Sequence, residues 1–515
     1  MQERLLDYYS HDAPWSRQLW RLSSVLELRE LLEAARARHE GVLSDSAVKY
    51  LSDCLVNRVK RDVGLGAPSQ RGRIVGDIGR NLVPGGHDAV ALHLVTEQAD
   101  GDYLRRWADE VRRSSPHVEV VSRAIGSYLL DAGFSRTALH KWWTYHGKHA
   151  PDTASIADLI DEAVVLVRRP FVRFTVCVPL PASPPLPMRS GVHQDQGWLT
   201  SRETSDWLSR WVPSVPPIRQ SGALLLEIDA RDVHAAIEKA ATTVARLVAR
   251  FRVGMRERME FLDQLFVIGY DAPFEYAMSP RRFELHALHK TSAVFDLDLP
   301  AEFDAVLELL EPLDGGAPAA AVAGSWAALE ALFVGPGDGR KRVIAANRIA
   351  RVVACSYVRA ELTALANACA IGDDELATAI RGLPENADRA KLFEDALKAG
   401  APVSFERTRH RLALDRMRAL ITDPGRVLPR IVAQLEDAFR RLYRQRNLVV
   451  HAGDLTSVAL AGTLRTVAPL VGAGIDRIVH AGAVGGRSPL EVAALAETNL
   501  GRVADGDTRL VELLG

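Results

Sequence analysis

One stretch near the C-terminal end of the chain, residues 428–451, constrains the fold most strongly. Its apolar residues recur every three or four positions, a spacing that places them along one side of an α-helix. The members of this stripe are Leu428, Ile431, Val432, Leu435, Phe439, Leu442, Val449 and Val450. The stretch therefore predicts a long helix with one buried face.

Two polar residues stand out against this pattern. Arg446 occupies the next position due on the apolar stripe, and a guanidinium there needs a counter-ion, a bound anion or a subunit contact because an unpaired buried charge is costly. His451 follows five residues later, which at ~100° per residue places the two about 140° apart around the helix axis. One helix alone does not point both at one atom. Long side chains, the helix end at Ala452-Gly453 or a symmetry-related chain are the three ways to close the gap.

A second row of residues runs along the same helix at four-residue intervals. It consists of Phe439, Tyr443, Asn447 and His451, so the amide and the imidazole lie on one side. Gly453 suits the position just beyond the helix end, where a left-handed backbone is common. Histidine in the last turn is a suitable group for proton transfer near neutral pH.

Length and charge limit the classes of protein that this chain can belong to. With 515 residues it is too long for one ordinary core, and two to four domains are expected. The net charge of -1 and the isoelectric point of about 7.0 give no global reason to bind nucleic acid. Any contact with RNA or DNA must therefore come from a local patch.

Cysteine usage and hydropathy bear on cofactors and location. The four cysteines are widely spread, form no C-x-x-C pair and have no histidine cluster at ligand spacing nearby. They predict reduced, buried thiols in a cytoplasmic protein, with neither a metal site nor another cofactor. The N-terminus has no apolar secretion segment, and the most apolar windows are short or interrupted by charges, so we expect no membrane span.

The periodicity divides the chain into three regions, which predict a multidomain protein. Residues 1–158 are mostly helical, residues 159–300 form an α+β middle domain, and residues 301–515 form an all-helical bundle. In the middle domain, strands are predicted at 171–179, 223–228, 265–269, 283–288 and 293–299. His286 and His289 are interpreted as alternating strand residues rather than ligands.

A helix-turn-helix outline lies at residues 118–146 in the first region. Two predicted helices are joined at Asp131-Ala132-Gly133-Phe134, and the second helix carries Arg136, His140 and Lys141. DNA binding through this second helix is one interpretation. The alternative is two packed helices around Trp142 and Trp143.

The C-terminal region carries a resemblance that periodicity does not supply. Arg446-Asn447-Leu448-Val449-Val450-His451 resembles the R-x4-6-H motif of the HEPN superfamily, and its flanks are similar to those of the Apea-like branch. Ser325-Trp326-Ala327-Ala328-Leu329-Glu330 is similar to the Trp-x-x-Leu-Glu helix found early in such domains. The likeness covers about the last 200 residues, a domain-sized share of the chain.

The resemblance implies a fold, an activity and a set of site residues. HEPN domains of this type imply a helical bundle that cleaves RNA without a metal ion, with two R-x4-6-H motifs meeting across a homodimer. His451 would then act as general base or acid, Arg446 would hold the scissile phosphate, and Asn447 would orient the imidazole or contact phosphate. Glu330 is a supporting acid for Arg446 or His451, and Tyr443 a base-stacking or hydrogen-bonding residue.

The predicted function is thus an endoribonuclease, a toxin or abortive-infection effector against phage. Its first 300 residues would sense an unknown trigger or restrain the nuclease, and the dimer would form through the C-terminal domain. Two other functions stay open. The chain is alternatively a non-catalytic HEPN scaffold, or a DNA-binding regulator that uses the 118–146 element.

Overall fold

The computed structural model describes residues 1–149, 155–182, 197–256, 258–275, 281, 283–290, 293–295, 301–339, 342–503 and 509–514. Within these ranges the chain is mostly helical, with a small antiparallel sheet between an N-terminal and a C-terminal set of helices. This agrees with the order of structural classes that the sequence predicts.

The N-terminal set contains eight helices in the described residues and has its own core. They are α1 (Gln2–Tyr9), α2 (Ser24–His39), α3 (Asp45–Val59), α4 (Pro68–Ile78), α5 (His87–Arg113), α6 (Val118–Asp131), α7 (Arg136–His149) and α8 (Ile156–Arg168). Helix α8 buries Ile160, Ala163 and Leu166 in this core. The helical N-terminal region therefore extends past residue 158, where the sequence placed its boundary, to Arg168.

The middle region is a five-stranded sheet with a helix on each face. Its elements are β1 (Val172–Leu180), β2 (Trp198–Thr200), α9 (Ser201–Trp211), β3 (Gly222–Ala230), α10 (Val233–Met255), β4 (Gln264–Val267) and β5 (Phe274–Glu275). The strand order is β2-β3-β1-β4-β5. Alternate residues of β1 face opposite sides, so Val176 packs towards α10 and Cys177 towards the α9 side.

Two of the predicted strands are wrong. Residues 283–285 are irregular, and His286 to Lys290 form a short helix, α11, in which Ala287 is buried in the C-terminal core. The backbone amide of Ala287 donates to the Asp476 carboxylate at 2.6 Å. Ala293–Phe295 is a 3-10 turn, and the remainder of the predicted 293–299 strand lies outside the described residues. The alternation of apolar and polar residues predicted strands here, but packing of this segment against the C-terminal core determines its conformation instead.

The C-terminal set is a helical bundle around a shared core. Its helices are α12 (Ala301–Gly315), α13 (Pro318–Phe333), α14 (Ile344–Cys369), α15 (Glu375–Arg381), α16 (Asn386–Lys398), α17 (Thr408–Thr422), α18 (Pro424–His451), α19 (Leu460–Gly485) and α20 (Pro489–Arg502). The all-helical class that the sequence predicts for this region is confirmed within the described residues.

Helix α18 is the element that positions the predicted site. It begins at Pro424, where the Asp423 side chain accepts from the Arg426 amide at 3.2 Å, and proline suits the first helical position. Its apolar side, including Leu435, Phe439 and Leu442, is fully buried in the C-terminal core. Val450 departs from the predicted stripe, because it is 48% exposed.

The end of α18 follows the predicted pattern. Gly453 adopts a left-handed backbone, with φ +67°, and the amides of Ala452 and Asp454 both donate to the Leu448 carbonyl at 3.1 Å. Glycine tolerates this conformation without strain, which explains why the helix ends here. The Leu448 side chain is buried in the N-terminal core. The last turns of α18 therefore lie between both helical sets.

Helix α19 meets the length and hydropathy of a membrane span, with a mean hydropathy of 1.3 in its most apolar window. That window is 61% buried inside the protein, and α19 supplies Val467, Leu470 and Val471 to the C-terminal core. Its apolar character is accounted for by this central position in the bundle.

Candidate functional site

Arg446 and His451 contact each other directly at the end of α18. The Arg446 Nη1 lies 2.7 Å from the His451 Nε2, and the same Nη1 donates to the Asn447 Oδ1 at 3.1 Å. Guanidinium has only donors, so the His451 Nε2 accepts in this arrangement. The sequence left three ways to bring these two residues together across about 140° of the helix surface. The structure shows that the length of the arginine side chain is sufficient, within one chain. The five-residue offset therefore gives no independent reason for a dimer.

This contact separates the motif from two strings that share its spacing by chance. Arg112 with His117, and Arg281 with His286, also fit R-x4-H. In the structure Arg112 binds Asp161 and Asp158, while Arg281 donates to the carbonyls of Pro312 and Gly316 at 3.2 and 2.8 Å. Within the described residues, neither arginine contacts the histidine of its own string.

The site is open on the outer side of α18. His451 is exposed and Arg446 is half-buried, in contrast to the buried position that the apolar stripe predicts for Arg446. Asn447 is only 6% exposed, and its side-chain oxygen accepts a hydrogen bond from Arg446. It makes no hydrogen bond to His451 in the described structure. The arrangement presents a guanidinium and an imidazole side by side to solvent.

Apolar side chains flank this polar pair. Val450, Leu455 and Val458 are 48%, 46% and 44% exposed. The loop that carries the last two is fastened to α2, because Glu33 accepts from the Ser457 hydroxyl at 2.6 Å and from the Val458 amide at 3.1 Å. The loop that follows His451 is thus held in place by α2 of the N-terminal set.

Glu330 and Tyr443 lie on the core side of this helix rather than at the exposed pair. The Glu330 carboxylate accepts from the Trp326 indole at 2.7 Å, and Trp326 packs on the Tyr443 ring with centroids 4.8 Å apart. In the described chain Glu330 has no hydrogen bond or ion pair with Arg446 or His451. Helix α13, which carries Trp326 and Glu330, does pack against α18. Glu330, however, orients Trp326 and not Arg446 or His451.

Sequence reasoning missed a buried ion network on the opposite side of α18. It consists of three arginines and three acids, and each acid forms ion pairs with two of the arginines. The members are Arg58, Arg441 and Arg444, with Glu27, Glu30 and Asp437. A signal was present, since Glu27 and Glu30 are three residues apart on one helix, as are Arg441 and Arg444 on another.

The network joins α2 and α3 to α18, and all its members are buried except Arg58, whose side chain is 20% exposed. Arg441 is 0% exposed and donates to Glu30 at 2.9 Å and to Glu27 at 2.7 Å, while Arg444 donates to Glu30 at 2.8 Å. Burial would raise the pKa of Glu30, but Arg444 and Arg441 outweigh it and hold that pKa below its usual value. At Glu27, by contrast, burial outweighs Arg58 and Arg441 and raises the pKa of the carboxyl, so the two acids depend differently on the shared arginines.

The helix-turn-helix outline is present as two helices, but its polar residues have partners inside the chain. Asp131 accepts from the Arg465 side chain at 2.6 Å, Ser135 donates its hydroxyl to Asp232 at 2.7 Å, and Arg136 donates to the Arg465 carbonyl at 3.2 Å. Lys141 lies 3.1 Å from the His234 ring. The second helix thus faces the middle region and α19, which argues against its use as a DNA-reading helix.

Metal ligands and disulfides do not define another site in the described structure. There, no group of three or more histidine, cysteine or acidic residues is arranged to hold a metal ion. The four cysteines are unpaired, and Cys177, Cys355 and Cys369 are buried while Cys54 is partly exposed. Burial raises the pKa of Cys177 to about 12, so this thiol is a packing residue rather than a nucleophile.

Comparison of the chain with protein-family models, curated proteins and solved structures found no match.

Proposed function

We propose that this protein is a metal-independent endoribonuclease of the HEPN type that acts as a homodimer. The observation that carries the proposal is the 2.7 Å contact between Arg446 and His451, at the exposed end of a helix that is buried along much of its length. A phosphate-binding group and a proton-transfer group thereby lie next to each other on a rigid support. This is the minimum equipment for breaking a phosphodiester bond by attack of the neighbouring ribose hydroxyl.

The proposed reaction needs no water and no metal ion. The imidazole Nε2 of His451 removes the proton from the 2′-hydroxyl, and the 2′-oxygen attacks phosphorus. The bond from phosphorus to the 5′-oxygen breaks, and a protonated imidazole returns a proton to that oxygen. Arg446 binds the non-bridging oxygens and stabilises the charge that builds on them. The products are a 2′,3′-cyclic phosphate and a 5′-hydroxyl.

The resting geometry adds one condition to this reaction. The lone pair of the His451 Nε2 faces Arg446 rather than solvent. The scissile phosphate must therefore draw the guanidinium away before the imidazole accepts a proton. A charged phosphate competes well for arginine, because hydrogen bonds between two ionised groups are stronger than those to a neutral ring.

Cleavage of a single-stranded RNA by the full-length protein in the presence of EDTA tests the proposal. End-group analysis should find 2′,3′-cyclic phosphates, and the all-deoxy oligonucleotide should stay intact. His451→Ala and Arg446→Ala should each slow cleavage by about 10²-fold or more. His286→Ala, taken from a string of the same spacing, is the control that should leave the rate unchanged. Cleavage that persists in both site variants would refute the assignment.

The proposed dimer places two copies of this surface face to face. Its support is that Val450, Leu455 and Val458, all close to His451 in sequence, are exposed, and we infer that they form one apolar patch of the kind that marks interaction surfaces. Light scattering after size exclusion should give twice the chain mass for the wild type and the chain mass for Val450→Glu with Leu455→Glu. Val253→Glu, at a residue 84% exposed on α10, is the control. A wild-type monomer that cleaves RNA would contradict the dimer.

The cellular role that follows is a restrained toxin, which we propose acts in abortive infection against phage. The N-terminal helices contact both the motif helix and the loop after His451, so a trigger that acts on them is able to reach the site. Induced expression should reduce cell growth for the wild type and not for His451→Ala, at equal protein level. Equal toxicity of both proteins would exclude the nuclease as its cause.

A non-catalytic scaffold is the competing function. It is favoured by the fact that Arg446 uses one nitrogen for Asn447 and His451 within its own chain, as a purely structural pair would. Under this alternative the dimer forms, no RNA is cleaved under any activating condition, and His451→Ala changes stability instead of a rate.

A further inference from the structure

A cavity of about 670 Å³ lies where the three regions of the chain meet. Its walls come from the turn between α6 and α7, from β3 and α10, from the turn that follows α12, and from the first residues of α19. Pockets of ~300–1,000 Å³ are typical of small-molecule sites. The cavity is separate from the Arg446 and His451 pair, which does not line it.

Cationic side chains predominate in this cavity. Five line it, against three acids, and they come from four separate parts of the chain: Arg136, Lys239, Arg246, Arg281 and Arg465. Asp229 is paired with Arg173 at 3.0 Å and Arg465 with Asp131 at 2.6 Å, whereas Glu227 accepts from the neutral Thr175 hydroxyl at 2.7 Å and keeps its charge. The cavity thus has an excess of positive charge in a chain whose net charge is -1.

Part of this cationic capacity is unused within the described residues. Arg465 donates through Nη2 to Asp131 at 2.6 Å, but its buried Nε has no acceptor. Arg246, on the solvent-facing rim, has neither a hydrogen bond nor an ion pair there. A buried donor without an acceptor is costly, so a ligand oxygen at this position would remove a penalty that the free protein carries.

The third acid does little to neutralise these cations near pH 7. Glu238 faces the cavity from α10, and burial, followed by the charge of Asp232, raises its pKa to about 7. Arg136 and Arg465 act in the opposite direction without overcoming burial. This carboxyl is therefore partly protonated near neutral pH.

We propose that this cavity binds a small phosphorylated ligand of nucleotide size. Several guanidinium groups from different elements suit a ligand with more than one phosphate, since each binds phosphate oxygens through paired donors. Leu130, Phe134, Ile228 and Leu464 supply apolar walls for an uncharged part of the ligand. A cavity of this volume encloses one nucleotide and not a long RNA, so the ligand is a small molecule rather than the proposed substrate.

This assignment also gives a role to Arg136, which follows the turn at Gly133. The helix-turn-helix outline suggested that Arg136 contacts a nucleic acid from outside, whereas the structure turns Arg136 towards the cavity. Arg136 therefore remains a candidate ligand-binding residue, but its proposed partner changes from the DNA backbone to the phosphate of a small molecule. The inference is independent of the ribonuclease activity.

Calorimetric titration of the full-length protein with ATP, GTP, inorganic pyrophosphate and adenosine tests the proposal. At least one of the phosphate compounds should bind and raise the midpoint of thermal unfolding, and adenosine should not. Arg246→Glu should weaken that binding by about tenfold or more. Arg250→Glu, which is exposed on the same helix and does not line the cavity, should change it by less than about twofold.

Several results would overturn the proposal. One is that none of the three phosphate compounds binds at millimolar concentration. Another is that Arg246→Glu and Arg250→Glu lose affinity equally. The third is that a ten-nucleotide RNA binds more tightly than ATP and displaces it. Because the readout is binding, the proposal stands or falls separately from RNA cleavage. Arg465→Gln is a second variant that keeps a donor towards Asp131 and lacks the guanidinium Nε, and it should weaken binding as Arg246→Glu does.

Discussion

At the scale of single residues, Arg446 has two tasks that only a guanidinium combines. One of its nitrogens lies within hydrogen-bond distance of both Asn447 and His451, at 3.1 and 2.7 Å, while the remaining N–H groups are available to a phosphate. Lysine carries the same charge on a single nitrogen and lacks the planar fork. The proposed chemistry therefore depends on geometry as well as on charge.

Arg446→Lys tests this distinction. We expect RNA cleavage to fall by about 10²-fold, because a single ammonium nitrogen lacks the planar pair of donors that binds two phosphate oxygens in parallel. Thermal unfolding should be unchanged, since Arg446 is half-buried and the charge is kept. Single-turnover rates measure the loss, with Arg430→Lys, exposed on the same helix, as the matched control. A rate equal to that of the wild type would show that Arg446 acts only as a point charge.

Gln445, the neighbour of Arg446, is 0% exposed, and neither its amide nitrogen nor its amide oxygen has a hydrogen-bond partner in the described chain. An unpaired buried amide costs about 1–3 kcal/mol. Gln445→Met, which has a similar volume, should therefore increase stability by about 1 kcal/mol, measured as a higher unfolding midpoint in urea or heat. Gln445→Glu should lower it. Loss of stability in the Met variant would mean that the amide does have partners.

The sequence places Asn447 and His451 on one side of α18, but it predicts neither the half-buried position of Arg446 nor which of these side chains bind each other. Helical spacing is a local property, so it gives the row of Asn447 and His451 and the end at Gly453. The contact of Glu330 with Trp326 rather than with Arg446 depends on the rotation of α13 against α18. No local pattern determines that rotation.

At the scale of elements, α18 is a helix with two buried sides. One side is apolar and packs in the C-terminal bundle, and the other carries Arg441 and Arg444 against Glu27 and Glu30 of α2. The sequence shows the apolar side through its periodicity. It does not show the charged side, because arginines next to a buried stripe have the same pattern whether they face water or a distant acid.

The buried ion network makes a specific prediction about double variants. Arg441→Met removes a fully buried cation and leaves Glu27 and Glu30 with too few partners, which should cost about 3–5 kcal/mol. Adding Glu27→Met should restore much of this loss, because the remaining pairs, Arg58 with Asp437 and Arg444 with Glu30, then balance. Denaturant unfolding of the two single variants and the double variant gives the coupling energy. Additive losses would contradict the network.

At the scale of the whole molecule, three regions predicted as separate blocks pack around shared elements. Leu448 of α18 is buried in the N-terminal core, and α11 packs on α19 although it follows the sheet in sequence. The class of each region follows from the period of its apolar residues. Their mutual packing rests on pairs more than 300 residues apart, such as Arg465 with Asp131 and Arg441 with Glu30, and sequence spacing does not reveal such pairs.

This packing produces a pH dependence that is specific to the junction of the three regions. Glu238 has its pKa raised from 4.5 to about 7, first by burial and then by Asp232. Below about pH 4.5 the carboxyl is neutral in the folded and the unfolded chain, and its environment costs nothing. Between about pH 4.5 and 7 the unfolded chain ionises and the folded chain does not, so folding stability falls as pH rises, and above that window the loss is constant.

Glu238→Gln should remove this dependence. The variant should match the wild type near pH 4.5 and exceed it by about 3 kcal/mol at pH 8, since one pKa unit corresponds to about 1.4 kcal/mol. The measurement is the difference between the two unfolding free energies across this range, in which the contributions of all other titrating groups cancel. Parallel curves would mean that Glu238 ionises normally in the folded chain. The acid would then neutralise Arg136 and Arg465, and the cavity would lose part of the positive charge on which the binding of a phosphorylated ligand depends.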